Sequence, residues 1–253
     1  MAREFDGVND LLATGVSLTM PTTFSLAAWV YPRSRGEGSL GLMLAFQADP
    51  ASANLTGFRI QAGTGSNQRV NFRADRATTS GHWHTPDDAT TFILNAWQHV
   101  AVTYDGSSTA NDPLMYVNGI SVAVTEFTTP AGTLDTTADE IVIGNNDAQA
   151  ATWDGYLAEC CVWNRIITAD EVVFAMRGGG LLVPSGLRNY WPLHGTISPE
   201  PDFSGTNQHM TVTEAIRVDH PPGVALWVPR ARRIFVAPVI ITASYRTLMG
   251  VGI

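Results

Sequence analysis

The sequence predicts an all-β protein: a two-sheet antiparallel jelly-roll sandwich with one short helix and an extended C-terminal arm. Short runs alternating apolar and polar side chains recur along the chain, Asp-Gly and Asn-Gly pairs close several of them, and one stretch alone carries both a helix start and a helix stop. At 253 residues and 45% hydrophobic side chains there is apolar mass for one large core, and sandwiches of this length are commonly one domain.

In order along the chain, FSLAAWVYP (24–32) sets Phe24, Leu26, Ala28 and Val30 on one face and Trp29 and Tyr31 on the other, and Pro32 ends the alternation. LGLMLAFQ (40–47), GFRIQAG (57–63) and RVNFRAD (69–75) follow between Gly-, Ser- and Asn-rich loops, a spacing that suggests antiparallel meanders. WQHVAVTYDG (97–106) turns Val100, Val102 and Tyr104 to one face, and in LMYVNGISVAV (114–124) the pair Asn118-Gly119 is a hairpin turn, since both residues tolerate positive φ. EIVIGNND (140–147) and GYLAECCVWN (155–164) are two more strands. Thr168 followed by Glu171 forms a capping box for a helix over 169–177, which Gly178-Gly179-Gly180 stops; Val172, Val173 and Met176 are its apolar side, expected against a sheet edge.

The formal net charge is −8, and all 15 basic residues are Arg, which excludes Schiff-base and lysine-base chemistry. Residues 221–253 hold four of those Arg and no acid, net +4, so residues 1–220 carry −12, the −8 of the whole less that +4. A body this acidic argues against a nucleic-acid partner, and a basic tail suits an acidic protein surface, its own or a neighbour's. No apolar run approaches the roughly 20 residues of a membrane span, and the opening MAREFDGVND has no apolar leader core. The expectation is therefore no membrane partner and no secretion signal. Cys160 and Cys161 are adjacent in a strand, where they face opposite ways, so they read as two reduced thiols of a protein folded in a reducing cytoplasm.

Taken together, REFDGVNDLLATG, FSLAAWVYP, NAWQHVAVTYDG, LMYVNGISVAV, IVIGNN and WDGYLAECCVWNRIITADEV resemble, in order and approximate spacing, the laminin-G-like, concanavalin A-like jelly-roll family over residues 3–177. Two departures stand out. The segment LRNYWPL (187–193) with its following Asp-Phe-Ser-Gly loop precedes the FDG strand in that family but here follows the helix, as in a circular permutation, and is expected to close the sandwich beside the N-terminal strand. Ala158 also stands where the family carries the first of two acids, before Glu159. The domain reading is a jelly roll over 1–220 and an arm over 221–253.

Retaining glycosidases of such folds need two carboxylates about 5 Å apart, readily supplied by acids at i and i+4 on one face of one strand, and no strand here has that pattern. The expectation is no enzyme and no required cofactor. His82 and His84 of GHWHTPDD could face one way with Asp87 or Asp88 nearby as metal ligands, or stand as solvated imidazoles of a loop. The resemblance implies one structural calcium, for which Asp202 and Asn207, with Asp6 or Asp10 from the FDGVND segment, are the matching oxygen sources; the same side chains equally suit Asx turns on their own backbone. Trp83 and Trp153 read as loop rings able to stack on a glycan, whereas Trp29, Trp97, Trp163 and Trp191 read as core.

The arm has two apolar, β-prone runs, 224–228 and 234–241, broken by Pro229, Pro238 and an Arg cluster. Such a segment must be covered, and its prolines favour an extended strand-adding arm with Arg230, Arg232, Arg233, Phe235 and Tyr245 as partner contacts. The resemblance extends to stand-alone proteins encoded among bacteriophage structural genes. It implies a virion structural protein, a capsid decoration, cement or fibre component assembled in the host cytoplasm as a homo-oligomer or on a shell protein. The second expectation is a lectin-like adhesion module that binds a glycan.

Overall fold

The computed structural model describes residues 1–47, 55–146, 148–196 and 198–219. The chain opens with β1 (Ala2–Asp6), β2 (Leu11–Ala13) and the long β3 (Thr23–Pro32), followed by β4 (Leu42–Gln47), β5 (Leu55–Ala62), β6 (Gln68–Ala74) and β7 (Gly81–His84). Next come β8 (Gln98–Asp105), β9 (Leu114–Val117), β10 (Ile120–Val122), β11 (Thr125–Thr128), β12 (Glu140–Ile143) and β13 (Asp154–Trp163). The helix α1 (Ala169–Gly178) separates these from β14 (Leu187–Trp191), β15 (Thr211–Thr213) and β16 (Ile216–Val218).

Two eight-stranded antiparallel sheets result. Sheet A runs β10-β9-β8-β3-β13-β1-β16 with β14 also on β13, and sheet B runs β11-β7-β6-β5-β4-β12-β2-β15. Alternation decides what lies between them: Phe24, Leu26, Ala28 and Val30 from β3 and Val100, Val102 and Tyr104 from β8 meet Phe58, Ile60, Phe72 and Ile141 from sheet B. The β9–β10 hairpin turns at Asn118 and Gly119, with φ of 52° and 78°. Cys160 lies between the sheets and Cys161 on the outer face of sheet A, both buried and unbridged.

The late strand β14 takes the same edge of β13 that β1 uses. Cys160 to Trp163 pair with β14, and Asp154 to Leu157 with β1, so the two strands lie end to end. The N-terminal strand is further tied to the end of the described chain by a buried ion pair, Arg3 Nη2 to Glu200 Oε2 at 2.8 Å, with Arg3 also donating to the carbonyls of Ala215 and Gly195.

The helix begins at the Thr168–Glu171 capping box. It packs Val172 and Ala175 on the outer face of sheet A, against Ala27, Ala101, Tyr116, Cys161 and Trp163, rather than on a sheet edge. The small side chains of Ala27 and Ala101 let the helix approach the sheet face closely. At its C-terminal end, Met176 accepts at its carbonyl from Trp29 Nε1 at 2.9 Å. The other half of that face carries three aromatic rings.

Candidate functional site

Beyond Trp29, the outward alternation of β3 reaches Tyr31, whose register partner on β13 is Tyr156; across β13 and β1, Tyr156 pairs with Glu4. Val30 pairs with Gln98, so Trp97, one residue earlier, comes up beside Tyr31. Three half-buried rings thus form one cluster. Tyr31 and Tyr156 lie 5.1 Å apart with planes at 33°, Tyr31 and Trp97 5.7 Å apart at 65°, and Trp97 and Tyr156 6.0 Å apart at 35°. Such offset and tilted pairs are favourable ring geometries, so the rings hold one another in place without a ligand.

Arg33 pins the rim. It stands over Tyr156 at 5.4 Å, donates from Nε to Asp154 Oδ1 at 2.8 Å and from Nη2 to the Phe5 carbonyl at 2.8 Å, and pairs through Nη1 with Glu4. These hydrogen bonds to two carboxylates outweigh partial burial and raise the Arg33 pKa above its ordinary value. A cavity of about 450 Å³ opens over the cluster, lined by Trp97, Tyr156, Val218 and Asp219. Among the described residues, the Tyr31 and Tyr156 hydroxyls and the Trp97 indole N–H have no hydrogen-bond partner. A hollow that joins aromatic rings to polar groups, Asp219 among them, suits a ligand with one apolar face and a polar perimeter.

The two rings expected to stack on a glycan, Trp83 and Trp153, lie elsewhere. Trp83 is a core residue of β7, fully buried, stacked on Phe72 at 5.9 Å and donating from Nε1 to Asp112 Oδ1 at 2.7 Å. Trp153 is likewise fully buried between the sheets. Neither can serve as a surface platform. The ring that is accessible, Trp97, reads as core by its strand-like neighbours, yet the outward alternation of Trp29 and Tyr31 already marks the right face.

His82 and His84 flank Trp83 and therefore turn away from the core, opposite Arg73 and Asn71 on β6. Burial first, then the charges of Arg73 and Arg59, push the His82 pKa down to about 4, so this imidazole is neutral and faces guanidiniums. Asp87 is held by Thr64, through backbone N–H and hydroxyl.

The calcium donor set does not assemble. Asp202 Oδ1 accepts from the N–H groups of Tyr190 and Ser204, at 3.0 and 2.9 Å, and Oδ2 from Thr206 Oγ1 at 2.7 Å and the Gln208 N–H at 3.1 Å. Burial opposes ionisation, but these donors hold the Asp202 pKa below the ordinary carboxylate value. This is the Asx-turn alternative. Asn207 is an exposed turn residue at φ 58°. Asp6 and Asp10 meet each other, the Asp6 N–H donating to Asp10 Oδ2 at 2.6 Å, and share a cavity with Glu4 and Glu214. Among the described residues no group of three or more His, Cys, Asp or Glu is arranged to hold a metal ion. The arm contacts Arg230, Arg232, Arg233, Phe235 and Tyr245 lie outside the described residues.

Residues 6–173 match the Concanavalin A-like lectin/glucanases superfamily, and the chain belongs to it. Among solved structures, the fold is similar to that of a putative carbohydrate binding protein from Bacteroides ovatus (TM-score 0.61, 18% identity, 88% of this chain and 61% of that one). It is also similar to a heptameric SAP-like pentraxin from Limulus polyphemus (TM-score 0.52, 17% identity, 69% and 81%). A third similar structure is the full-length tailspike protein 2 from Escherichia coli O157:H7 bacteriophage CAB120 (TM-score 0.52, 17% identity, 73% and 25%). The chain thus spans about three fifths of the Bacteroides protein and a quarter of the tailspike. No curated protein matches the sequence.

Proposed function

We infer that the protein is a non-enzymatic carbohydrate-recognition protein whose Tyr31–Trp97–Tyr156 cluster stacks against the C–H face of a pyranose. The observation that carries this reading is the cluster itself: three half-buried rings in mutual contact, two of them, Trp97 and Tyr156, lining an open cavity. Buried aromatic anchors dominate the energetics of comparable recognition sites. The superfamily and the similarity to a putative carbohydrate binding protein from Bacteroides support a sugar as the ligand class. The non-enzymatic part rests on the sequence, in which no strand carries acids at i and i+4 on one face, and on Glu159, which is buried and accepts a hydrogen bond from the Tyr190 hydroxyl. The test is a glycan array probed with the full chain and with Trp97→Ala. Hits lost in the variant support the reading, and an array with no hits for the native chain overturns it.

A second reading concerns where such a module works. The apolar, Arg-bearing arm over 221–253 favours attachment to a larger assembly, and the fold shared with a tailspike supports a bacteriophage virion as that assembly. In this account the jelly roll faces outward as a decoration, cement or fibre component, and the arm holds it to a second copy or a shell protein. The sixteen strands of the described residues end by Val218, so deleting 221–253 leaves their residues in place. The truncated protein should melt as a folded domain but lose self-association in analytical ultracentrifugation. Unchanged self-association contradicts the anchoring role.

A further inference from the structure

The opposite end of sheet A holds a second cavity of different chemistry. β3 begins there at Thr23 and β8 ends at Asp105, and along strands of this length the two ends are about 25–30 Å apart. The loops after β8 and after β11 frame a cavity of about 650 Å³, within the range of small-ligand sites. Its walls carry the hydroxyls of Thr22, Ser107, Ser108, Thr109, Thr133 and Thr136.

Arg76 lines this cavity and is only 5% exposed. Its Nη2 donates to Tyr104 Oη at 2.7 Å, the Ser108 carbonyl at 2.9 Å and the Gly106 carbonyl at 3.1 Å, and its Nη1 to the Gly132 carbonyl at 3.0 Å. Every partner is neutral. No carboxylate of the described residues lies within ion-pair distance, and the buried Nε has no hydrogen-bond partner. The acids of the neighbouring segments are otherwise engaged: Asp75 Oδ1 accepts from Ser80 Oγ and from the Arg76 backbone N–H, Asp105 from Ser107 N–H, Asp112 from Trp83 Nε1, and Asp135 Oδ1 from Thr137 N–H. A guanidinium withdrawn from water without a counter-ion is costly, and an anion entering the cavity offsets that cost at short range and low effective dielectric.

We propose that this cavity is a second binding site, for an acidic saccharide, with Arg76 attracting the carboxylate and the serine and threonine hydroxyls meeting the sugar hydroxyls. Uronic and sialic acids share the required chemistry, a carboxylate on a polyhydroxylated ring. The site stands independently of the aromatic cluster, and the two can fail separately.

The test is titration of the full-length protein with glucuronate and with N-acetylneuraminate, each beside its methyl ester, followed by saturation-transfer NMR. At least one free acid should bind, its ester at least tenfold more weakly, and its binding should weaken as salt is raised. Ser108→Trp and Thr133→Trp, at exposed positions on the rim, should abolish binding without changing the melting temperature, while Trp97→Ala should leave it intact. Equal binding of acid and ester, retained binding in both rim variants, or no binding of either acid overturns the proposal.

Discussion

The ring of Tyr31 lies 5.1 Å from that of Tyr156 because the two residues are register partners on β3 and β13. A one-residue slip of either strand would turn its ring into the core, so the same hydrophobic alternation that sets the sandwich also sets the platform. Trp97 completes it from the start of β8. Recognition and folding are thus separable at these positions. Trp97→Ala should change stability by about 1 kcal/mol or less, as for a half-exposed side chain outside the main core; a loss above about 3 kcal/mol in urea unfolding would make Trp97 a core residue instead.

Trp83 predicts the reverse. It is fully buried, packed on Phe72 and Tyr104, with its indole N–H satisfied by Asp112. Trp83→Ala should cost roughly 3–5 kcal/mol from the cavity left behind, and leave Asp112 without its donor. Thermal melts that move by less than a few degrees would contradict its placement.

The Arg3–Glu200 pair joins the two ends of the described chain with both side chains almost wholly buried. Glu200→Ala leaves the guanidinium buried without its partner and should destabilise by roughly 3–5 kcal/mol, whereas the double change Arg3→Met with Glu200→Leu should recover most of that loss. The measurement is a double-mutant cycle by chemical denaturation. If the single variant is as stable as the native protein, the pair does not hold β1 to the segment around Glu200.

Burial, then the charges of Asp6, Glu214 and Glu4, push the Asp10 pKa up to about 6 from an ordinary 3.8, against the opposing hydrogen bond from the Asp6 N–H. The folded protein therefore binds this proton more tightly than the unfolded chain, and the Asp10 contribution to stability falls as pH rises from about 4 to about 6. Asp10→Asn can still accept the Asp6 N–H. It should raise the melting temperature at pH 7 and leave it nearly unchanged at pH 3.5. An increase of the same size at both pH values would contradict the shift.

Much of the sandwich was legible because its signals are local. Asn118-Gly119 encodes its own positive φ values, the Thr168–Glu171 box its own cap, and the alternation of β3 and β8 their own faces. The site was less so. Trp83 lies in a four-residue strand between Gly81 and Pro86, too short to declare a period, and its inward turn comes from pairing with β6. Trp153 sits in coil, where no alternation applies. The exposure of Trp97 depends on where α1 stops across the sheet face, a tertiary fact. Similarly, Asp202 showed a carboxylate in a ligand-like loop, but which donors fill its oxygens is decided by the fold of 202–208 upon β14.

The central claim is that the Tyr31–Trp97–Tyr156 cluster is a sugar-binding platform, and its most direct measurement is the affinity of a glycan that binds the native chain, compared with Trp97→Ala, Tyr31→Ala and Tyr31→Phe by isothermal titration. The account predicts at least a tenfold loss, about 1.4 kcal/mol, for each alanine variant, with Tyr31→Phe, which keeps its ring, within about threefold of native. Native affinity in both alanine variants, at unchanged melting temperature, would contradict it.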